Sequence, residues 1–209
     1  ALTCSNAINF KDTIKLLKIR GKAMQTAIPK NEGGMVAVLG ENIDKIQDIL
    51  NNKNKFNCYL ANDNSNGQVV ISGKIKDIDE FILELKKLNI KNIKLPVSAP
   101  FHCILMKPAT DIMRNEILNT KFSKPSNLII SNVNANPCDE PEIIKKLLVD
   151  QIEKPVRWRE SVLNMINFGC KKFIEIGPGK VLSGLIKRIN KDIKINTINN
   201  ETDIRNLKI

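Results

Sequence analysis

Histidine and aromatic side chains are scarce in this sequence. Its 209 residues include one His, one Trp, one Tyr and seven Phe. A single histidine excludes a metal site built from several histidines, so we expect no bound metal. Few rings are available as stacking platforms for bases, which argues against a protein that binds single-stranded nucleic acid.

Paired cysteines and long apolar runs are missing as well. The five cysteines are odd in number, dispersed and never spaced as CxxC. This pattern argues against a zinc knot or a disulfide framework and predicts reduced thiols in a cytosol-like compartment. No stretch approaches the roughly 18 to 20 apolar residues that cross a bilayer. Residues 1–22 lack the arrangement of an export signal. We therefore expect neither a membrane span nor an export address.

Positive charge is in excess, with 33 Lys and Arg against 22 Asp and Glu, a formal net charge of +11. Such a field attracts nucleic acid, anionic membrane, phosphorylated cofactors or an acidic protein. The lysines are dispersed in a chain also rich in Asn and Ile, and codon bias explains the excess of positive charge equally well.

Hydrophobic residues make up 42%, as in an ordinary globular chain of one large or two small domains.

The apolar runs between residues 35 and 97 predict the order strand, helix, strand, strand, helix, strand. This is the order of a ferredoxin-like module. The two middle strands are separated by the turn-forming sequence DNSNG. The predicted strands are 35–40, 56–61, 68–73 and 90–97, and the predicted helices are 41–50 and 74–88.

Beyond Pro100, strands alternate with helices, which is typical of an α/β domain. GPGK at 177–180 lacks the spacing of a phosphate-binding loop and predicts a tight strand-to-helix turn. Two or three strands are too few for a complete sheet, so we expect this domain to be incomplete. We predict buried strands at 128–133 and 171–177, a helix from near Pro141 through LLVDQI, and a helix at 180–189 with Val181, Leu182, Leu185 and Ile189 facing inward.

Residues 10–26 predict a helix with an arginine on its apolar side. At 100° per residue, Arg20 points away from a stripe of lysines. A guanidinium on an apolar face is unfavourable unless an anion meets it, and that anion is either an internal carboxylate or a ligand. The lysine stripe is Lys11, Lys15, Lys18 and Lys22, and the neighbours of Arg20 are Leu16, Leu17, Ala23 and Met24.

His102 lies in LPVSAPFHC, a loop that Pro96 and Pro100 stiffen. Catalytic groups concentrate in loops held by rigid elements, and imidazole titrates near neutral pH. The alternative is a structural histidine. A Cys–His dyad with Cys103 is not expected, because adjacent strand-like residues point to opposite faces. The sequence also contains no GxSxG nucleophile elbow.

Five segments together resemble the malonyl-coenzyme A:acyl carrier protein transacylases of dissociated (type II) fatty-acid synthesis. They occur in the family's order and spacing and cover essentially the whole chain. The segments are IRGKAMQ (19–25), NGQVVISG (66–73), LPVSAPFHCILMKPA (95–109), KPVRWRESV (154–162) and EIGPGKVLSGLIKRI (175–189).

The resemblance implies an α/β fold in which an α/β-hydrolase-like large domain, incomplete here, carries a ferredoxin-like small subdomain. The large domain would comprise residues 1–30 and 99–209, and the small subdomain residues 31–98. The implied enzyme is an acyltransferase with a ping-pong mechanism. A serine takes malonyl from malonyl-CoA and passes it to the phosphopantetheine thiol of acyl carrier protein, and no cofactor is bound.

The resemblance also implies roles for particular residues. His102 falls on the catalytic base, and Gln151 on the residue whose backbone carbonyl orients it. Arg20 falls on the arginine that clamps the malonyl carboxylate. The remaining positions are Met24 and Val97 in the acyl pocket, and Lys187 and Arg188 as contacts for acyl carrier protein, a merely solvated helix end being the alternative for the last two.

Two departures from the family pattern carry expectations. Phe101 replaces a small residue, so the acyl pocket should be narrower. The first residues, ALTCSNAINF, match the family just after its GHSLGE elbow, so we expect the serine and the oxyanion-hole amides to be absent and this polypeptide alone to be inactive. Uncovered apolar surface and an N-terminal partner fragment are then expected. The compartment would be bacterial cytosol or a plastid-like stroma.

The alternative to an enzyme is a basic module that binds an acidic protein or RNA without catalysis. Ferredoxin-like segments occur in RNA-recognition modules, which use aromatic residues on their strands. Here only Phe56 and Tyr59 are predicted on a strand.

Overall fold

Arg20 lies on the first helix, which is 17 residues long. The computed structural model describes residues 1–51 and 56–207. Helix α1 spans Phe10–Thr26, as predicted, and the Asn9 side chain caps it by accepting a hydrogen bond from the backbone N–H of Asp12. Ala23 and Met24 are buried on one side, whereas Leu17 of the predicted apolar side is 56% exposed.

A four-stranded antiparallel sheet follows α1, with helices α2 and α3 on one face. Its strand order is β2-β3-β1-β4. The chain order β-α-β-β-α-β is the predicted one. The elements are β1 Gly33–Leu39, α2 Ile43–Asn51, β2 Cys58–Ser65, β3 Gln68–Lys74, α3 Ile75–Lys87 and β4 Lys91–Lys94.

Both faces of this sheet are covered, which is why the MVAVL run of β1 is almost continuously apolar. Val36 and Val38 point toward α2 and α3, where Phe81 is fully buried. Met35 and Ala37 point the other way and pack with the segment that leads to His102. Strand β1 therefore packs the small sheet against the loop that carries His102.

The hairpin between β2 and β3 is tighter than the sequence predicted. β2 continues to Ser65, so that the turn consists of Asn66 and Gly67 alone. Gly67 has φ +76°, a conformation that glycine adopts without strain. Phe56 lies just before β2, and its ring packs edge-on against Phe81, so the prediction that Phe56 lies on a strand was wrong.

A second core forms where α1 packs against a later helix, which in turn packs against the next one along the chain. After a short 3₁₀ turn at Ile104–Met106, α4 spans Lys107–Leu118, a helix that the sequence did not predict. Strands β5 Ile129–Ile130 and β6 Pro137–Cys138 form a two-residue pairing, and α5 spans Pro141–Asp150. The buried members of this core include Leu16, Met24, Ala99, Met113, Ile117 and Ile152.

The prediction of a buried strand at 128–133 was wrong. Only Ile129 and Ile130 pair as strand, and Leu128 is 65% exposed. The chain turns after Ile130, because the N–H of Ala135 donates to Ser131 and the N–H of Ser131 donates to Asn136. An apolar run therefore does not extend into a longer strand here.

The C-terminal part is a parallel strand pair with three helices. Its elements are α6 Trp158–Asn167, β7 Lys172–Ile176, α7 Val181–Ile189, β8 Lys194–Ile198 and α8 Glu201–Arg205. The turn predicted at GPGK joins β7 to α7. At the N-terminal end of α7, the backbone N–H groups of Leu182 and Ser183 donate to the Glu175 carboxylate. A side chain of this protein therefore supplies the negative charge that a helix N-terminus favours.

Two burial predictions for this part were wrong. β7 is a strand but not a buried one, since Ile176 is 74% exposed. In α7, Leu185 and Ile186 face inward, whereas Val181 and Leu182 are exposed, Val181 by 72%. Among the described residues β7 has β8 as its sheet neighbour, and nothing described covers these apolar side chains.

No helix in residues 1–51 and 56–207 has the length and apolar character to cross a membrane.

Candidate functional site

The sole histidine lies in a loop that is fixed from two sides. His102 follows β4 and precedes the 3₁₀ turn, and its φ of +60° is uncommon for a residue other than glycine. Two residues earlier, the Pro100 ring lies against Gly33, where an added Cβ would come 2.2 Å from Pro100 Cδ. Phe101 packs against the core of α1 and α4 and also against the second face of the sheet. The loop therefore holds an imidazole in a defined, strained conformation.

The imidazole is hydrogen-bonded to a main-chain carbonyl. His102 Nδ1 lies 2.8 Å from the carbonyl oxygen of Gln151, the residue that ends α5. A carbonyl oxygen only accepts, so Nδ1 carries the proton and Nε2 of the neutral ring holds a lone pair. Gln151 thus lies where the family resemblance put the orienting carbonyl, and the ring is arranged as a proton acceptor.

Burial keeps the imidazole neutral. Desolvation lowers the pKa of His102 below its ordinary value, the Gln151 carbonyl opposes this, and the positive charge of Arg20 lowers the pKa further. Arg20, on helix α1, therefore acts electrostatically on a neutral imidazole held by the His102 loop.

Arg20 is half-buried, and none of the described carboxylates pairs with it. Desolvation lowers the pKa of its guanidinium. In the part of the chain that the structure describes, no Asp or Glu lies within ion-pair distance of Arg20. The internal salt bridge that the sequence left open is therefore not formed by the described residues. Its five donor N–H groups are available to an anion.

A mainly apolar cleft of about 460 Å³ adjoins the guanidinium. Arg20 and Gln151 both line it, together with apolar side chains such as Leu17, Leu148 and Ile152. A guanidinium at the wall of an apolar cleft suits a ligand with one carboxylate and little other charge.

Three predicted pocket residues lie outside the wall of this cleft. Met24 is 4% exposed and packs in the core with Ala99 and Ile152. Val97 packs on the second face of the sheet, and Phe101 packs against both that cluster and the core that contains Met24. Their contact with an acyl group stays a prediction.

Two polar residues at the cleft were not singled out from the sequence. Ser131 and Asn132 line it, and the Asn132 amide oxygen accepts a hydrogen bond from Ser161. The turn at 131–136 brings them there. The run LIISNV gave no signal of this, because it was interpreted as a continuous strand.

The two basic residues of α7 differ in their surroundings. Lys187 Nζ donates to the carbonyls of Lys191 and Ile193 and so binds the segment that follows its helix. Arg188 is exposed and, within the described ranges, makes no ion pair.

No cluster of three or more His, Cys, Asp or Glu side chains in residues 1–51 and 56–207 is arranged to hold a metal ion.

Comparison with known proteins shows the family to which the chain is similar. The model of the family "Acyl transferase domain" matches residues 1–203. A Bacillus subtilis protein named malonyl CoA-acyl carrier protein transacylase is 41% identical over 199 residues, which are 93% of this chain and 62% of that protein. The chain therefore spans less than two thirds of that relative's length.

Solved structures give the same result. The acyl-carrier-protein-S-malonyltransferase of Bartonella henselae superposes with a TM-score of 0.94 at 39% identity and covers 99% of this chain and 66% of its own. A malonyl-transacylase solved in complex with a type II PKS acyl-carrier protein has a TM-score of 0.91 at 34% identity, over 98% of this chain and 67% of its own. These findings confirm the resemblance drawn from the five sequence segments. The mixed α/β chain belongs to the acyl transferase domain family.

Proposed function

We propose that this chain carries the carboxylate clamp and the general base of a malonyl-CoA:acyl carrier protein transacylase. The observation that carries the proposal is the half-buried, desolvated guanidinium of Arg20 at an apolar cleft, where no described carboxylate pairs with it. Its positive charge acts on the only imidazole of the sequence. Family membership and the names of the relatives point to the same activity.

Arg20 would select the acyl group. Malonyl differs from acetyl by a free carboxylate, which a guanidinium pairs with through two parallel hydrogen bonds. The clamp has no described internal carboxylate to displace. A charged hydrogen-bonded pair of this kind contributes about 1.5 to 3 kcal/mol, or roughly 10- to 100-fold in preference for malonyl.

His102 would move the proton in both half-reactions. Nε2 accepts the proton of a serine hydroxyl as its oxygen attacks the thioester carbonyl, and the proton then passes to the departing coenzyme A thiolate. In the second half-reaction Nε2 accepts the proton of the phosphopantetheine thiol, whose sulfur attacks the malonyl-serine ester. The proton returns to the serine oxygen as that bond breaks. Gln151 would hold Nδ1 throughout.

The serine is proposed to lie outside these 209 residues. The sequence contains no GxSxG, and the chain corresponds to only part of the relatives' length. On this proposal an N-terminal segment supplies both the nucleophile and the oxyanion-hole amides. The exposed apolar side chains of β7 and α7, Ile176 and Val181, are consistent with such a segment.

Acyl carrier protein is proposed as the partner in the second half-reaction. A malonyl-transacylase of similar structure was solved with an acyl-carrier protein bound. Of the two basic candidates, Arg188 is the better placed for an acidic partner, since Lys187 is engaged with carbonyls of its own chain. Met24, Val97 and Phe101 remain proposed acyl-pocket residues that would act from the core behind the cleft.

The finer fold assignment is also a proposal. A ferredoxin-like small subdomain at 31–98, inserted into an α/β-hydrolase-like large domain of residues 1–30 and 99–209, accounts for two features. One is the antiparallel order β2-β3-β1-β4 with α2 and α3 on one face. The other is the parallel pair β7–β8 joined through a helix, which is the connection of α/β folds.

The transfer itself is tested with labelled malonyl-CoA and acyl carrier protein bearing phosphopantetheine. The chain alone should transfer nothing, whereas the chain joined to an N-terminal segment that carries the family's GHSLGE elbow should label the carrier protein. Transfer by the 209 residues alone would refute the proposed location of the serine. A folded joined protein that leaves the carrier unlabelled would refute the proposed activity.

A further inference from the structure

The segment after α5 is hydrogen-bonded to the outer edge of the small sheet. Val156 N–H donates to the Ala61 carbonyl at 2.8 Å, and Asp63 N–H donates to the Val156 carbonyl at 2.9 Å. Val156 thereby forms a parallel bridge with Asn62 on edge strand β2. Two backbone hydrogen bonds fix this point of the chain relative to the sheet.

An ion pair reinforces the same junction. Asp63, only 4% exposed, receives the Nε–H of Arg159 on both carboxylate oxygens, at 3.1 and 2.9 Å, and Arg159 Nη2 lies 2.9 Å from Oδ2. Arg159 is in the first turn of α6. A buried carboxylate of this kind requires its cation, so the two elements are tightly joined.

The junction continues to the histidine through one turn of chain. The side-chain amide of Gln151 donates to the carbonyl of Lys154 at 3.1 Å and to that of Pro155 at 3.4 Å. The Gln151 carbonyl accepts the hydrogen bond of His102 Nδ1. The turn 151–156 therefore contacts the imidazole at one end and β2 at the other.

We propose that Asp63 and Arg159 are positioning residues for His102: by fixing the turn 151–156 against β2, they keep the Gln151 carbonyl on Nδ1 and leave Nε2 as the proton acceptor. The proposal rests on the proposed function for its catalytic consequence. Neither residue touches the imidazole or lines the cleft. If the ion pair were purely structural, breaking it would lower the stability of the protein and leave the imidazole tautomer unchanged.

The tautomer can be measured directly because His102 is the only histidine in the sequence. Two-bond ¹H–¹⁵N correlation spectra of the labelled protein distinguish the Nδ1–H from the Nε2–H form. Asp63→Asn removes the charge of the pair, and Arg159→Lys keeps the charge but loses the two-point geometry. The matched control is Glu160→Gln, which breaks the neighbouring pair with Arg157 on the same helix and leaves β2 untouched.

We expect the Nδ1–H form in the parent and in the Glu160→Gln control, and a mixture with the Nε2–H form in Asp63→Asn. Arg159→Lys should lie between the two. A folded Asp63→Asn protein with the parent tautomer would overturn the proposal, as would an equal change in Glu160→Gln. If Asp63→Asn does not fold, Gln151→Met removes only the amide contacts to residues 154 and 155. An unchanged tautomer in that variant overturns the proposal, and a mixture supports it.

Kinetics separate this proposal from the proposed function. The spectra need no acyl transfer. If Asp63→Asn shifts the tautomer but the folded joined protein transfers no malonyl, the transferase activity is refuted and the positioning relationship stays intact. In a protein that does transfer malonyl, Asp63→Asn should lower kcat about 10- to 100-fold with the malonyl-CoA KM unchanged, because the Arg20 clamp is not altered. A raised KM with kcat unchanged would contradict a positioning role.

Discussion

His102 Nδ1 lies 2.8 Å from the main-chain carbonyl of Gln151, a residue 49 positions further along the chain. A carbonyl oxygen fixes the tautomer of the ring as an aspartate would, but it carries no net charge. Among the described residues no carboxylate therefore orients the imidazole, and the charge that acts on it is the positive one of Arg20. Both features favour the neutral, proton-accepting ring.

The lowered pKa of His102 predicts how stability depends on pH. Burial, and then the charge of Arg20, lower this pKa below the 6.5 of a free histidine. The unfolded chain therefore binds a proton that the folded chain does not. The stability linked to His102 is complete above the unfolded pKa and is lost as the pH falls from there through the folded pKa.

Urea unfolding at pH 7.5 and pH 5.5 measures this effect. The parent should lose more stability between the two values than His102→Gln, which lacks the titrating group. Equal losses in both proteins would mean that the imidazole is not held neutral by the fold.

His102→Ala should abolish the burst of acyl-enzyme formation in a protein that contains the serine. Removing a positioned general base typically lowers the rate 10²- to 10⁴-fold. Rapid quenching with labelled malonyl-CoA measures the burst. The control Ile104→Ala changes an exposed side chain two residues away and should keep the burst. A burst of parental rate in His102→Ala would remove the histidine from the role of base.

Gly33→Ala should destabilise the protein by about 1 to 3 kcal/mol. The new Cβ would lie 2.2 Å from Pro100 Cδ and 2.6 Å from Ile28 Cδ1, so the proline ring beside the His102 loop must move. The matched control is Gly21→Ala in α1, where nothing lies within 4 Å of the added Cβ. Chemical denaturation should show that control to be more stable by about 0.5 to 1 kcal/mol, because alanine favours the helix. Equal effects of the two substitutions would contradict the close contact with Pro100.

The parts of the fold that the sequence predicted correctly are those with strong local periodicity. The spacing of apolar and basic residues in 10–26 predicted α1 and the separation of Arg20 from the lysine stripe, and alternating short runs predicted the order of elements in 35–97. In each case the pattern repeats often enough within one element to decide its type.

The errors arose where burial depends on distant parts of the chain. Ile176 and Val181 have apolar side chains typical of a core, yet no described residue covers them. The link from Asp63 to Arg159 joins residues 96 positions apart, and neither residue type is unusual on a protein surface. Periodicity therefore predicted the helix that carries Arg20, but it could not predict which side chains meet across the site.

The most direct test of the account is the acyl preference of Arg20→Ala in a protein competent for transfer. Steady-state kcat/KM for malonyl-CoA and for acetyl-CoA gives the discrimination, and Lys18→Ala, on the exposed side of α1, is the control. We predict that Arg20→Ala raises the malonyl-CoA KM and reduces the preference for malonyl about 10- to 100-fold, with Lys18→Ala unchanged. An Arg20→Ala protein that transfers malonyl and rejects acetyl as the parent does would contradict the carboxylate clamp.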